Sequence, residues 1–398
     1  MQGAKKVLFI VTLFLLNAMI MHDFVIFPIT DALYEAFPDN TAGVNFIISG
    51  PSIVLVIASF IVPLILRKIG KKTLLIIGGI LYAVTAVGGC LIESVAYMSF
   101  CRACSGIAYA IAQICAVGLI ADHWMDESKR AAFVGYFNAA QAAVGAAMGF
   151  VSGQLAVTSW QNAYNTYWVA VPLVILIILF IPRASASAVA SSEASDAETA
   201  VDGRRGLGGS FWIMVLTFTL VTIAYVTTMS YFISVYVAEN ALGDAAYAGT
   251  LNSIMAIGSM VMCIVFGFIY SKLHIRTSLP FFFTMAAAIL ALFLVHDQVV
   301  AMVSVFVGGG SYGCLIAYAY AEGSIRVPAA SVDRASGIVT AAYGIACFVA
   351  TYIETAIMEA MGTELVSPTY IIFVVVCVVA AVIEIVRVAR MAASLKNQ

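Results

Sequence analysis

The sequence predicts an all-α membrane protein of 12 transmembrane helices, arranged as two pseudo-symmetric six-helix halves. Three observations predict it. At 63% hydrophobic and 10% charged over 398 residues, with a mean hydropathy of +1.03, the chain has too little polar surface to coat a water-soluble globule. Twelve stretches of roughly twenty mainly apolar residues have the length a helix needs to cross about 30 Å of hydrocarbon. Of the 19 Lys and Arg residues, all but Arg102 fall in the ends and loops that alternate spans place on one side of the membrane.

In order, the spans are expected at 7–30, 43–66, 74–93, 96–120, 131–154, 163–182, 211–238, 247–270, 278–295, 299–322, 335–357 and 368–389. Lys5 and Lys6 precede the first, but no small-residue cleavage site follows it, so it reads as a retained span and not as a signal peptide. With the N-terminus inside, basic residues such as Arg67, Lys129, Arg276, Arg326, Arg334 and Arg387 are all cytoplasmic. The outer loops then carry Asp31, Glu35, Asp39, Asp244 and Glu364 with no Lys or Arg. The expectation is a multi-pass protein of the cytoplasmic membrane with both termini in the cytoplasm. Gly50-Pro51, Gly106 and Gly308 to Gly310 lie inside spans, where neighbouring helices are expected to satisfy any freed backbone group.

Arg183 to Ser210 is rich in Ala, Ser, Asp and Glu, a composition that cannot bury a core. It reads as a flexible cytoplasmic linker (183–210) between an N-terminal bundle (1–182) and a C-terminal bundle (211–398). The halves look like repeats. Arg67-Lys-Ile-Gly70 aligns with Ser271-Lys-Leu-His274, and Arg130-Ala-Ala with Arg334-Ala-Ser, both at an offset of 204. Duplication of a six-span unit is a transporter signature and predicts a substrate site between the halves near mid-membrane.

Composition also excludes other classes. A net charge of -2 implies no nucleic-acid partner. All eight cysteines lie in apolar segments, where they behave as small packing residues, Cys101 and Cys104 included. No His-x-x-x-His, paired carboxylate or nucleophile–base constellation is present, and the four histidines assemble no metal site, so neither an enzyme nor a cofactor is expected.

Arg102 is the feature that demands a function. A permanent cation at membrane depth faces protein or water and needs a partner. Asp23 lies about as deep as Arg102 from the outer surface, roughly 10 Å along each helix, so the two can meet. Asp23 then becomes a proton carrier, with Arg102 as its counter-charge; the alternative is a fixed ion pair. His22 points about 100° away on an ideal helix and reads as structural. Arg102, Gly106, Tyr109 and Gln113 share one face of the fourth span, and Asn138, Gln141, Gly145 and Gly149 one face of the fifth. Tyr225, Thr228 and Tyr231 decorate the seventh span, with Tyr312 and Tyr320 on the tenth. Tyr109, Gln113, Asn138, Gln141, Tyr225, Thr228, Tyr231, Tyr312 and Tyr320 are the candidate substrate-binding residues. Aromatic faces favour a cation, whereas Arg102 could bind a carboxylate; both stay open. Glu322 and Glu354 read as boundary or gate residues.

In these features the chain resembles the major facilitator superfamily (MFS) along nearly its whole length. The superfamily's loop motif, G-x-L-a-D-r-x-G-r-k, is matched by Pro63 to Lys72, with Lys68, Gly70, Lys71 and Lys72 in agreement and Arg67 where the motif has Asp. Gly267 and Lys272 keep part of it in the second half. Arg102-x-x-x-Gly106 resembles the fourth-span motif of the 12-span proton-coupled drug and metabolite efflux branch. The resemblance implies the MFS fold, with the first, fourth, seventh and tenth spans around a cavity and the loop motif controlling conformational change. It also implies secondary active transport of a small organic molecule by alternating access, by proton-coupled efflux or alternatively by proton-coupled uptake of a nutrient or organic anion. The expected partners are a small-molecule substrate, protons as coupling ion and the lipid bilayer, and the expected state is a monomer.

Overall fold

The computed structural model of the chain describes residues 3–66, 68–124, 127–182, 207–325 and 332–396. Arg67, Arg326 and residues 183–206 of the expected linker lie outside the described residues. Among the described residues nine helices are long and apolar enough to cross a membrane. The first expected span adds a tenth as a pair, Lys5–Ile20 and His22–Ala36, bent by 58°. Glu127–Ala156, built largely of Ala and Gly, and the 17-residue Ser278–Leu294 fill the two remaining positions, so all twelve expected positions hold helix. Described residues fall into two compact units, Met1–Ala194 with Asp244–Ser253, and Ser195–Gly243 with Ile254–Gln398.

In the first unit the chain bends where local sequence cannot sustain a regular helix. After Gly3–Leu15 and Asn17–Ile20 it passes through 3₁₀ turns at His22–Val25 and Phe27–Ile29 before Thr30–Ala36. Pro28 has no N–H to donate, and its ring excludes the regular helical turn before it. Three carbonyls around the bend are taken by hydroxyls of other spans. Ala18 O accepts from Tyr82 (2.9 Å), His22 O from Tyr167 (2.9 Å) and Val25 O from Ser152 (2.6 Å). A break at membrane depth is tolerated because protein replaces the missing intrahelical donors.

The second span, Thr41–Leu66, crosses the fourth, Val95–His123, at Gly106. A Cβ on Gly106 would lie 2.6 Å from the Pro51 carbonyl oxygen, so glycine is what permits this backbone approach. On the fifth span Gly145 and Gly149 lie against Met21 and Phe24, beside the bend of the first.

The second unit repeats the device with a different turn. Its first span runs Gly209–Tyr225, a π turn at Val226–Tyr231, then Ile233–Glu239. Shifted back by the offset of 204, the π turn covers 22–27, the place where the first unit bends. Here the Phe232 N–H reaches Thr227 O at 3.2 Å, and the Tyr370 hydroxyl donates to Thr228 O at 2.9 Å. Tyr167 and Tyr370 belong to the last spans of their respective halves, so each half holds its broken span with a tyrosine from its sixth helix.

Candidate functional site

The first unit's polar centre begins with a proline. Pro51 cannot donate to the carbonyl four residues earlier, which leaves Ile47 O without a helical partner. Arg102 Nε supplies the missing donor at 2.7 Å, and Nη2 reaches Ile48 O at 3.4 Å. The same Nη2 closes an ion pair with Asp23 Oδ1. Arg102 therefore joins the second span at Pro51 to the bend of the first. Its guanidinium is 3% exposed, whereas the Asp23 side chain is 17% exposed, so of the two charges the acid is the one that solvent or solute can reach.

His22 completes the constellation, and here the expectation from ideal helical spacing is corrected. Its Nδ1 lies 2.8 Å from Asp23 Oδ1 and 3.4 Å from Arg102 Nη1, and the ring is fully buried. The 100° separation holds for an α-helix, but residues 22–25 form a 3₁₀ turn, which carries the imidazole round to its neighbour. An arginine can only donate, so the contact of 2.8 Å defines the hydrogen bond, and one proton lies between imidazole and carboxylate. Tyr109 stands edge-on to His22, with ring centroids 5.9 Å apart. Gln113, one turn further along, has Oε1 enclosed without a hydrogen-bond partner among the described residues. Asn138 is exposed and Gln141 half-buried on the fifth span.

The second unit brings Tyr225 and Tyr312 together as a parallel stack, with centroids 4.0 Å apart and planes within 9°. Thr222 Oγ1 lies 3.3 Å from the Tyr312 hydroxyl. Thr228 is fully buried and its hydroxyl is committed to Ala224 O at 2.8 Å, which gives it a place in the π turn's own bonding. Tyr231 is buried, and Tyr320 shares a 2.8 Å hydrogen bond with Thr340.

The loop motif's lysines are anchored to helix ends. Lys71 Nζ donates to Gly118 O (3.1 Å) and Asp122 (2.7 Å), and Lys72 Nζ to Ile178 O (2.7 Å). Cations against the last turns of the fourth and sixth spans complement the negative ends of those helices. Gly70 begins the third span with extended backbone, and Lys68 is exposed. In the second half Gly267 meets no other atom within 4 Å of its missing Cβ, and Lys272 lies over the Phe268 ring at 4.3 Å.

Arg387 requires a second correction. Counted with the cytoplasmic loops from sequence, it lies in Tyr370–Lys396 and is 3% exposed. Its fork takes both oxygens of Glu384, at 2.6 and 2.8 Å, and the Tyr318 hydroxyl at 2.6 Å. Glu322 stands 3.9 Å away and accepts from Tyr270 at 3.1 Å. Glu322 and Glu354, expected at boundaries, are 3% and 0% exposed. Among the described residues Arg102 is thus one of two arginines buried in the spans.

With helix at twelve span positions, a bend in the first and a π turn in the seventh, the fold is that of a solute carrier. A family profile described as Major Facilitator Superfamily matches residues 8–351, and the chain belongs to that superfamily. It is a secondary transporter working by alternating access and carries a small-molecule substrate within a lipid bilayer. Among solved structures it is similar to a nucleoside transporter, NupG, at 13% identity and a TM-score of 0.76, covering 95% of this chain and 99% of the other. It is also similar to a D-xylose-proton symporter (16%, TM-score 0.72, covering 94% and 96%). A bacterial homolog of the human lysosomal transporter Spinster gives 14% and a TM-score of 0.75, covering 98% of both chains. At such identities these likenesses establish the fold and nothing of the substrate, and the efflux branch is not resolved by them. No curated protein sequence matches the chain significantly.

Proposed function

We propose that the protein is a proton-coupled transporter that exports a small organic molecule across the cytoplasmic membrane, with Asp23 as the proton carrier. The single observation that supports this best is the shared Asp23 Oδ1, which faces a fixed cation in Arg102 and an imidazole nitrogen of His22 at 2.8 Å. Arg102 cannot titrate in the working range, so the proton on this edge has two seats, the carboxylate and Nδ1. Opening the bend of the first span would separate Asp23 from Arg102 and change which seat is preferred, which couples protonation to conformation. Tyr109, Gln113, Asn138 and Gln141 in the first unit, with Tyr225, Thr228, Tyr231, Tyr312 and Tyr320 in the second, are the substrate-binding candidates. The enclosed Gln113 Oε1 asks for a donor, which favours a solute carrying N–H or O–H groups. Lys68, Gly70, Lys71, Lys72, Gly267 and Lys272 serve the conformational change, and the chain acts as a monomer.

Uptake is the second reading, and the fold's likeness to a proton symporter for D-xylose favours it. Inverted vesicles with an internal pH dye decide between the two. A candidate solute that discharges an acid-inside gradient identifies antiport, whereas one that carries protons inward with it from an acidic exterior identifies symport. Solute movement that leaves the dye unchanged in both cases refutes proton coupling.

A further inference from the structure

The second unit contains a carboxyl group that the Asp23 site does not use. Glu354 lies in Val332–Met361, is 0% exposed, and has Oε2 without a hydrogen-bond partner among the described residues. Its Oε1 lies 2.6 Å from Thr369 Oγ1, and the same Oγ1 lies 2.7 Å from Val366 O. Thr369 Oγ1 has one hydrogen to give, to Glu354 Oε1 or to Val366 O, and Val366 O also accepts the Thr369 N–H at 3.1 Å. A protonated Glu354 is the arrangement in which both hydroxyl contacts are hydrogen bonds at once, with the carboxyl donating to Oγ1 and the hydroxyl to Val366 O.

The surroundings agree with a neutral acid. On the seventh span the neighbouring acid is Glu239, whose two oxygens accept the N–H groups of Val366 (2.8 Å) and Ser367 (2.7 Å), the turn that leads into Thr369. The phenols of Tyr370 and Tyr236 stack on each other at 5.5 Å, and the Tyr370 hydroxyl is committed to Thr228 O at 2.9 Å. His296 stands edge-on to Tyr236 at 6.0 Å, one ring further out. From the π turn come Thr227 and Thr228, which are uncharged. The tenth span's Tyr320 is bonded to Thr340, about 20 Å along the helix from Glu354 by helical rise. On its own helix Glu359 lies one turn beyond. No cation pairs with Glu354 among the described residues, and an ionised carboxylate buried without one is strongly disfavoured.

We infer that Glu354 is a second proton-binding site, in the C-terminal unit, occupied when Thr369 is hydrogen-bonded as it is here. When the Thr369 contact opens, the O–H bond of Glu354 breaks, the proton passes to water and the carboxylate remains. This goes beyond the Asp23 proposal and stands or falls separately, since the two acids lie in different units.

Infrared difference spectroscopy of the full-length protein in liposomes tests it. The expected result is a protonated-carboxyl C=O band at pH 6 that shifts in deuterium oxide, weakens as the pH is raised, moves in Thr369→Val and is lost in Glu354→Gln. All of these should hold equally in an Asp23→Asn background, which separates the outcome from proton coupling at Asp23. Glu354→Gln keeps a donor for Thr369 Oγ1, so the variant is expected to fold, and thermal unfolding checks this. Identical wild-type and Glu354→Gln spectra in the carboxyl region would overturn the assignment. So would a Glu354 band that neither deuterium oxide nor alkaline pH alters, because such a proton is locked in place and does not exchange.

Discussion

Replacing Arg102 with Met should cost far more stability when Pro51 is present than when it is not. Two losses follow from removing the guanidinium. Asp23 loses its counter-ion, and breaking a largely buried pair from one side costs about 3–5 kcal/mol. Ile47 O loses the donor that reaches it at 2.7 Å, and a hydrogen bond from a charged group contributes about 1.5–3 kcal/mol. Pro51→Ala restores an N–H to the position that ordinarily serves Ile47 O, so in that background only the first loss remains. A double-mutant cycle of Arg102→Met and Pro51→Ala should therefore show a coupling of about 1.5–3 kcal/mol. Reversible unfolding of the purified protein in mixed micelles, followed by circular dichroism, measures it. Additivity within about 0.5 kcal/mol would refute the claim that Arg102 completes the second span's backbone.

Three further outcomes follow from named contacts. Tyr167→Phe and Tyr370→Phe each remove the hydroxyl that holds a broken span's carbonyl. Each should lower stability by about 1 kcal/mol in the same unfolding assay, and should raise amide-exchange rates around 22–25 and 226–231 respectively. Gly106→Ala places a Cβ 2.6 Å from Pro51 O and should destabilise by about 1–3 kcal/mol. Gly267→Ala meets nothing within 4 Å and should stay within about 0.5 kcal/mol of wild type. Lys71→Ala removes the contacts to Gly118 O and Asp122 and should lower the unfolding midpoint measurably, while Lys68→Ala, at an exposed position, should leave it unchanged.

Hydrophobic length and the distribution of basic residues made the span positions legible, because both follow directly from the bilayer as solvent. The pairing of Asp23 with Arg102 was legible as well, since matched depth and opposite charge suffice to propose it. What sequence spacing could not supply was the local winding. The 3₁₀ turn at 22–25 brings His22 to Asp23, and an α-helical wheel rotates it away. Pro51 announces an unsatisfied Ile47 carbonyl from sequence alone, but nothing in the sequence identifies Arg102 as its donor, 55 residues later. The burial of Arg387 was not legible because it lies in the last turns of a span, where a basic residue usually marks the cytoplasmic edge. Only the fold shows Glu384 and Tyr318 closing around it. Tyr167 and Tyr370 carried no signal, since a tyrosine in an apolar run is ordinary until the carbonyl it meets is known.

Whether Asp23 moves a proton during turnover is settled most directly in proteoliposomes that compare gradient-driven accumulation with solute-for-solute exchange, wild type against Asp23→Asn. A neutral side chain at that position should abolish accumulation driven by the pH difference while exchange persists, since solute can still cross but no longer draws on the gradient. Full accumulation by Asp23→Asn would contradict the assignment and leave the Asp23–Arg102 pair as a fixed strut between helices.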